Sequence, residues 1–283
     1  MKYLFPSAAW AVHSGMAASM VKMVLSVAST LALVLLGGGP ATAGPPRPAD
    51  PVGIDVSWPQ CGKALPGGLG FAIVGVNNGL ANNTNPCLQE QLDWAESTVR
   101  YPQATNQPRV ALYVNTANPG LAGSWWPTSN FYMGTLVDNP YGKCEGKNDR
   151  PCAYMYGYAK AYDDAVARGV EDPDSYFWWL DVETENSWQT DTVANRADLE
   201  GMTAYFASIG AEVGLYSTGF QWGRIAGSVP STSNLAGLPS WLAGARTLNG
   251  AKSNCSLSGL TPGSPVEVTQ YVSGGLDYDV ACK

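Results

Sequence analysis

Histidine is nearly absent from this chain of 283 residues, whose single copy is His13. That residue falls in segment 1–43, which we interpret below as a removable leader, so the mature chain would contain no histidine. The lack of imidazole excludes serine or cysteine triads built on histidine, histidine zinc sites and an imidazole general base. Acid–base chemistry must therefore fall mainly on carboxylates.

Basic residues are also few, with 16 Lys and Arg against 23 Asp and Glu and a net charge of −7. Lys2 and Lys22 are the charged residues of segment 1–43, so the remainder carries 14 basic and 23 acidic side chains, a net charge of −9. An acidic chain without basic clusters is a poor ligand for nucleic acid or anionic lipid. We therefore expect neither as a partner.

Several motifs with a defined chemistry are missing as well. The chain has no C-x-x-C, no P-loop, no G-x-S-x-G and no G-x-G-x-x-G after a predicted strand. Thioredoxin-type and zinc-ribbon sites, nucleotide-binding loops and the nucleophile elbow of α/β-hydrolases are thereby excluded. We expect no metal ion and no cofactor.

The amino terminus has the pattern of a signal peptide. Lys22 precedes an apolar run at 23–36, which is followed by glycines, a proline and the A-x-A sequence at 41–43. This pattern predicts a signal peptide over 1–43 with cleavage after Ala43. The apolar run is shorter than the ~20 residues that a membrane-spanning helix needs. We therefore expect a secreted protein without a membrane anchor, in which 44–51 is a proline-rich linker.

All six cysteines lie beyond the predicted leader. An even number of cysteines in a secreted chain predicts disulfides, here three. Sequence alone allows many pairings, and the one that closes the shortest loops is Cys61–Cys87, Cys144–Cys152 and Cys255–Cys282. We expect these bonds to be structural.

The remaining segment, 52–283, alternates short apolar runs with helical patterns. Seven runs rich in Val, Ile, Tyr and Trp predict strands, at 52–58, 71–77, 109–115, 176–184, 212–217, 240–245 and 266–272. Three apolar stripes at helical spacing predict helices, around 88–99, 155–166 and 199–209. This alternation predicts a single α/β domain with a parallel sheet. Without nucleotide-binding loops, a closed (β/α)8-like, TIM-type barrel, regular or irregular and held by three disulfides, is favoured over an open Rossmann sheet.

In an α/β barrel the active site lies at the carboxyl ends of the strands. Acids, amides and aromatic residues collect at those ends, and such groups suit a sugar, because acids and amides bind hydroxyls while rings stack on pyranose faces. The candidates for substrate binding are Asn77, Asn115, Tyr216, Trp241 and Gln270, with Trp188 as a further ring for stacking. Asp277 and Asp279 follow just beyond the last predicted strand.

Asp181 and Glu183 carry the sharpest signal. They occupy positions i and i+2 of one strand and face the same side, with Cα atoms about 6.6 Å apart. The apolar run at 177–180 favours a raised pKa for one of the two carboxyls. Cleavage of a glycosidic bond requires two carboxyls of unequal pKa, one to protonate the leaving oxygen and one to stabilise the oxocarbenium ion or activate water. Strand-end acids also serve as helix caps or hydrogen-bond acceptors, so spacing alone leaves that alternative open.

An ordered set of motifs resembles the lysozyme-like glycoside hydrolases of family 25. G-I-D-V-S-W-P-Q at 53–60 resembles the first strand of that family, and L-D-V-E-T at 180–184 resembles its D-x-E motif. G-L-Y-S-T at 214–218 and S-W-L-A-G-A at 240–245 resemble its later tyrosine and tryptophan strands. The segment 268–282 resembles the closing Q-Y…D sequence, so the resemblance covers essentially all of 52–282.

The resemblance implies a catalytic set of Glu183, Asp181, Asp55 and Asp277. Glu183 would be the general acid, and Asp181 would position the substrate or stabilise the transition state with help from the N-acetyl group of the sugar. Asp55 and Asp277 would tune the electrostatics and hold water or hydroxyls. The implied protein is a secreted, monomeric enzyme that cleaves peptidoglycan or a related cell-wall polysaccharide. Whether it retains or inverts the configuration depends on the separation of the carboxyls, which the sequence does not give.

The chain departs from the family pattern at several places. Its second strand ends in Asn77–Asn78–Gly79, where the family usually has a basic residue followed by T-E-G. Its third strand ends in Tyr113–Val114–Asn115, where the family often has a histidine, and the cysteine pairs and the Trp125–Trp126 loop are additions. These changes favour an alternative, a non-catalytic glycan-binding or cell-envelope protein on a degenerate hydrolase barrel. The intact acids oppose it.

Overall fold

The computed structural model describes residues 52–100, 102 and 105–282. The predicted leader at 1–43 and linker at 44–51 lie outside these residues. Ten strands occur in the described part: β1 Val52–Val56, β2 Ala72–Gly75, β3 Val110–Asn115, β4 Phe131–Tyr132, β5 Thr135–Leu136, β6 Phe177–Asp181, β7 Glu212–Ser217, β8 Ser240–Ala245, β9 Val266–Ser273 and β10 Leu276–Ala281. The α-helices are α1 Leu88–Thr98, α2 Arg150–Tyr162, α3 Thr192–Ser208, α4 Gly219–Ile225 and α5 Leu248–Asn254.

Eight of these strands close into one barrel in the order β1-β10-β9-β8-β7-β6-β3-β2. Seven run parallel to one another, and β10 is antiparallel to both of its neighbours, β1 and β9. β4 and β5 form a separate two-stranded hairpin in the long connection between β3 and α2. The predicted (β/α)8-like barrel is therefore confirmed in an irregular form.

All seven predicted strands are present, and β10 is the barrel strand that the prediction missed. Gly274 and Gly275, at φ values of 62° and 77°, reverse the chain directly after β9. β9 and β10 therefore form an antiparallel hairpin with no helix between them. Asp277 and Asp279, which we expected beyond the last strand, lie on β10 itself.

The three predicted helical stripes fall on α1, α2 and α3, although the second, predicted around 155–166, continues past the end of α2 into a π-helical turn at Asp163–Ala167. Asp149 and Asp191 cap α2 and α3 by accepting hydrogen bonds from backbone N–H groups of the first turn. The two helices approach closely at Gly157, where a Cβ atom would lie 1.8 Å from the carbonyl oxygen of Asp198. Glycine at this position therefore sets how closely α3 packs on α2.

Apolar residues form two layers, one between the barrel and its helices and one inside the barrel. The inner layer is largely aromatic and includes Phe71, Trp179 and Trp241. Inward-facing glycines make room for these rings: a Cβ atom at Gly53 would lie 2.6 Å from the Phe71 ring, and one at Gly214 would lie 2.3 Å from the Trp179 ring. The barrel interior is thus filled by side chains, as is usual for closed barrels of this size.

The disulfides join Cys61 to Cys87, Cys144 to Cys152 and Cys255 to Cys282, which are the pairs that the shortest loops predicted. Cys61–Cys87 attaches the loop after β1 to the start of α1, and Cys255–Cys282 attaches the end of α5 to the chain just beyond β10. Among the described residues, no helix combines the length and the apolar character needed to cross a membrane.

Candidate active site

A pocket of about 160 Å³ opens at the carboxyl ends of the parallel strands. Seven of the eight barrel strands contribute to it, and only β2 does not. All four predicted catalytic residues and three of the predicted binding residues line it, in the set Asp55, Tyr113, Asp181, Glu183, Tyr216, Trp241, Gln270 and Asp277. The structure therefore brings together side chains that are spread over more than 200 positions of the sequence.

Strand alternation and register explain why these side chains meet. Residues two apart on a strand face the same side. The pocket is lined by the inward-facing residues that lie nearest to this end of the barrel. Asp181 lies beside Tyr216 of β7, and Tyr216 lies beside Trp241 of β8. Asp277 pairs directly with Asp55 across β10 and β1. Because β10 is antiparallel, its first residues rather than its last lie at this end of the barrel.

Asp181 and Glu183 have different surroundings. Asp181 is buried, and its Oδ1 atom has no hydrogen-bond partner. Burial raises the pKa of Asp181 well above its usual range, and the charges of Glu183 and Asp55 add to this effect. Glu183 lies just past the end of β6 and is half-buried. Its pKa is also raised, by burial and then by the charges of Glu185 and Asp277, so the more accessible acid of the pair holds its proton to a higher pH than a free glutamate does.

Asp55 stands at the end of an oriented chain of hydrogen bonds. The hydroxyl of Tyr216 donates to Oε1 of Gln270 at 2.9 Å, and Nε2 of Gln270 donates to Oδ2 of Asp55 at 2.9 Å. Burial and the charge of Asp277 raise the pKa of Asp55 to about 8, although the hydrogen bond from Gln270 lowers it. The two predicted binding residues on β7 and β9 thus also hold the Asp55 carboxyl in place.

Asp279 lies beneath this site, two residues along β10 from Asp277 and fully buried. Neither of its carboxyl oxygens makes a hydrogen bond of ordinary geometry, and the polar groups that act on it are the Asp55 carboxyl and the Trp241 indole. Burial and Asp55 raise the pKa of Asp279 well above its usual range, whereas the contact with Asp279 lowers that of Asp55.

The pocket has carboxyl groups but no counter-charge, since no Lys or Arg is among its lining residues. Four carboxyls in one small space cannot all ionise, because each charge raises the pKa of the others. The site can therefore hold protons near neutral pH and favours a positively charged species within it. Across the part of the chain that the structure describes, no group of three or more acidic, cysteine or histidine side chains is arranged to hold a metal ion.

Asn77, Asn115 and Trp188, which we expected to bind substrate, do not line the pocket. Asn77 donates to Oδ1 of Asp164 at 2.9 Å and accepts from the backbone N–H of Asn115 at 2.6 Å, so it ties the ends of β2 and β3 to the end of α2. Trp188 donates through its indole to the carbonyl oxygen of Glu183 at 2.8 Å. Asn77 and Trp188 therefore make hydrogen bonds to segments around the site and do not line the pocket, and the substrate contact expected of these two residues and of Asn115 stays a prediction.

Tyr113 lines the pocket but is missing from the predicted set. It precedes Asn115 by two residues on β3 and therefore faces the same, inward side. Its ring meets that of Trp241 edge-on, with centroids 6.3 Å apart. Strand alternation could have identified Tyr113. The prediction instead chose Asn115, the last residue of β3, which lies two residues further along the strand.

No family model matches the chain. A stretch of 97 residues is 33% identical to "Probable GH family 25 lysozyme 4" of Dictyostelium discoideum, and covers 34% of this chain and 42% of that protein. The match thus spans less than half the length of the relative. It confirms, over that stretch, the resemblance inferred from the motifs.

Similar solved structures include the muramidase from Acremonium alcalophilum, with 15% identity, a TM-score of 0.48 and coverage of 81% of this chain and 92% of that chain. The lysozyme from Streptomyces coelicolor is 16% identical, with a TM-score of 0.47 and coverage of 83% and 93%.

Proposed function

We propose that the protein is a glycoside hydrolase that cleaves glycosidic bonds in peptidoglycan or a related N-acetylated cell-wall polysaccharide. The observation that carries the proposal is the convergence of Asp55, Asp181, Glu183 and Asp277 on one pocket with aromatic walls. The Dictyostelium relative is named a probable lysozyme, which supports a cell-wall glycan as the substrate class. Three disulfides suit an extracellular setting.

Glu183 is the general acid in this proposal. It lies just past the end of β6 and, like Asp277, is only half-buried, whereas Asp55 and Asp181 are buried. Burial and the charges of Glu185 and Asp277 raise its pKa and keep it protonated closer to neutral pH. It donates its proton to the glycosidic oxygen as the bond from that oxygen to the anomeric carbon breaks. The leaving sugar departs as a neutral alcohol. Water adds to the anomeric carbon, and the proton that it loses is taken up by a carboxylate of the pocket, so that one water molecule is consumed for each bond broken.

Asp181 stabilises the positive charge that develops on the anomeric carbon and ring oxygen. Burial and the charges of Glu183 and Asp55 oppose ionisation of Asp181. A developing cation reverses that opposition, because it favours the carboxylate over the acid. The stabilisation is therefore greater in the transition state than in the ground state, which is the condition for a faster reaction. The same carboxyl group can position the N-acetyl group of the substrate.

Asp55 and Asp277 hold a water molecule or sugar hydroxyls from the opposite wall. They face each other across β1 and β10, and the hydrogen bond from Gln270 fixes the orientation of Asp55. The rings of Tyr216 and Trp241, with centroids 4.3 Å apart, are buried and close the adjoining wall of the pocket.

Glu183→Gln tests the proposal, with Glu185→Gln as the matched control. Reducing ends released from purified peptidoglycan are measured for the wild-type protein and both variants. Loss of the general acid is expected to reduce the rate by about 10²–10⁴-fold. Glu185 is an exposed glutamate two residues further on that does not line the pocket. Its removal should retain activity and move the alkaline limb of the pH profile to lower pH, because its charge helps to raise the pKa of Glu183.

The same assay also distinguishes a glycoside hydrolase from a non-catalytic glycan-binding protein, the two interpretations that the sequence leaves open. Equal loss in both variants would refute the assignment of Glu183 as the acid. No release by the wild-type protein, with retention of the glycan in a pull-down, would instead support the non-catalytic glycan-binding alternative.

A further inference from the structure

A second pocket, of about 260 Å³, lies on the same face of the barrel. Its walls come from the loops that follow β2, β3 and β6 and from one side of α2. None of its residues belongs to the first pocket. We call it the Trp125 pocket, and the residues that matter here are Asn82, Trp125, Tyr156, Lys160, Asn186 and Ser187.

Two hydrogen bonds connect the walls of the Trp125 pocket to the strand that bears the proposed catalytic pair. The backbone N–H of Asn186 donates to the carbonyl oxygen of Glu183 at 3.3 Å. On the other side, the hydroxyl of Thr116 donates to the carbonyl oxygen of Asp181 at 2.6 Å, next to Ala117, which lines the pocket. The walls of the Trp125 pocket are therefore joined directly to the backbone that carries Asp181 and Glu183.

Trp125 presents a fixed aromatic surface in this pocket. Its ring is stacked on that of Tyr156, with centroids 6.0 Å apart and planes 29° apart, and it also contacts Tyr132 at 5.9 Å. The side chain remains 41% exposed. An exposed ring whose orientation is already set can stack on a flat, partly apolar ligand without losing much side-chain entropy.

The charge balance of the pocket favours an uncharged ligand. Its one cation, the Lys160 ammonium, lies over the rings of Trp125 and Tyr156 and forms an ion pair with Asp163 at 2.8 Å. Because this positive charge is already compensated, an anionic group gains little by binding here. The remaining N–H groups of Lys160 can still donate to hydroxyls.

We propose that the Trp125 pocket is an additional subsite for an uncharged sugar ring of the same glycan, outside the two rings that flank the cleaved bond. The ring stacks on Trp125, while the amides of Asn82 and Asn186 and the ammonium of Lys160 bind its hydroxyl and acetamido groups. This inference rests on the proposed function, since it assumes that the ligand of the first pocket is a glycan. Its consequence is a preference for long glycan strands over short ones.

The test uses β-1,4-linked N-acetylhexosamine oligomers of two to eight units. Their binding is measured calorimetrically with the Glu183→Gln protein, in which they are not cleaved, and their hydrolysis is measured with the active protein. Each measurement is repeated with Trp125→Ala, with the conservative Trp125→Phe and with Phe131→Ala. Phe131 is an exposed aromatic residue of the same connection that does not line the pocket.

Trp125→Ala is expected to weaken binding of the longest oligomers by about fivefold to tenfold and to leave the shortest ones unchanged. Trp125→Phe should restore much of the difference, and Phe131→Ala should have no effect. An equal effect at every length, or no effect at any length, would overturn the inference. If the wild-type protein releases no reducing ends from peptidoglycan or from any oligomer, the proposed function fails, and the binding series still decides the role of Trp125. If no oligomer binds, the subsite is refuted as well.

Discussion

Replacing Asp55 by asparagine is expected to stabilise the folded protein at neutral pH while it impairs the proposed activity. The pKa of Asp55 is about 8 in the folded protein, against an ordinary value of 3.8. Between these two values the folded protein binds one more proton than the unfolded chain, so its stability falls as the pH rises through that window. Asparagine does not ionise, and its side-chain oxygen can still accept the hydrogen bond from Gln270. The variant therefore escapes this loss.

The size of the effect follows from the two pKa values. At pH 7 the ordinary value of 3.8 lies about 3 pH units below the solution pH, and each unit corresponds to about 1.36 kcal/mol. Asp55→Asn should therefore gain about 4 kcal/mol at pH 7. For a domain of this length the gain corresponds to a rise of about 8–16 °C in the melting temperature. The gain should vanish near pH 4 and level off above pH 8.

Urea unfolding of the disulfide-intact protein at a series of pH values between 4 and 9 measures this difference. Asp172→Asn is the control, because Asp172 is exposed and adopts a φ of 47°, a conformation that asparagine tolerates. The control should have the same pH dependence as the wild-type protein. The quantity compared is the difference in the free energy of unfolding between Asp55→Asn and the wild-type protein. If this difference is the same at pH 7 as at pH 4, Asp55 ionises in the folded protein at little cost, and the reasoning is refuted.

Two further substitutions test packing and the hydrogen-bond chain. Gly157→Ala places a Cβ atom against the backbone of α3 and should cost about 3 kcal/mol or more in urea unfolding, whereas Ala at Gly223, an exposed position with open space around it in α4, should be neutral or stabilising. A small loss at Gly157 would mean that α2 and α3 can separate freely. Tyr216→Phe removes the donor to Gln270 and weakens the bond that lowers the pKa of Asp55, so the loss of stability with pH should continue to higher pH than in the wild-type protein. Superimposable pH profiles would show that the chain of hydrogen bonds does not reach Asp55.

The strands and helices that could be predicted are those whose burial is visible in their own sequence. β6 is a continuous apolar run that ends in an acid, and α1, α2 and α3 each carry an apolar stripe at helical spacing. β10 was missed because its sequence, L-D-Y-D-V-A, places two acids on the inward face of a barrel. Acidic residues are usually exposed, so the sequence pattern places these two in a loop. Their burial is explained only by the carboxyl and amide groups that lie next to them inside the barrel.

The candidate site divides in the same way. Asp181 and Glu183 were predicted from their spacing on one strand, and Asp55 entered through the motif that contains it. Asn77 and Asn115 are predicted to contact the substrate because they end predicted strands, but Asn77 donates a hydrogen bond to the buried Asp164, just after α2, and does not line the pocket. The identity of strand-end residues is local information, whereas the direction in which each side chain makes its hydrogen bonds depends on elements distant in sequence.

The amino-acid sequence by itself predicted a closed α/β barrel and a candidate site built from carboxylates, and it located Asp55, Asp181 and Glu183 near the ends of predicted strands. Only the tertiary structure decided that Asp277 lies opposite Asp55, that Asp279 is buried beneath them, and that the loops after β2, β3 and β6 enclose a second pocket. The physical reason is that barrel closure with an antiparallel last strand brings the two ends of the domain together. The spacing of residues along the chain does not predict this contact between β1 and β10.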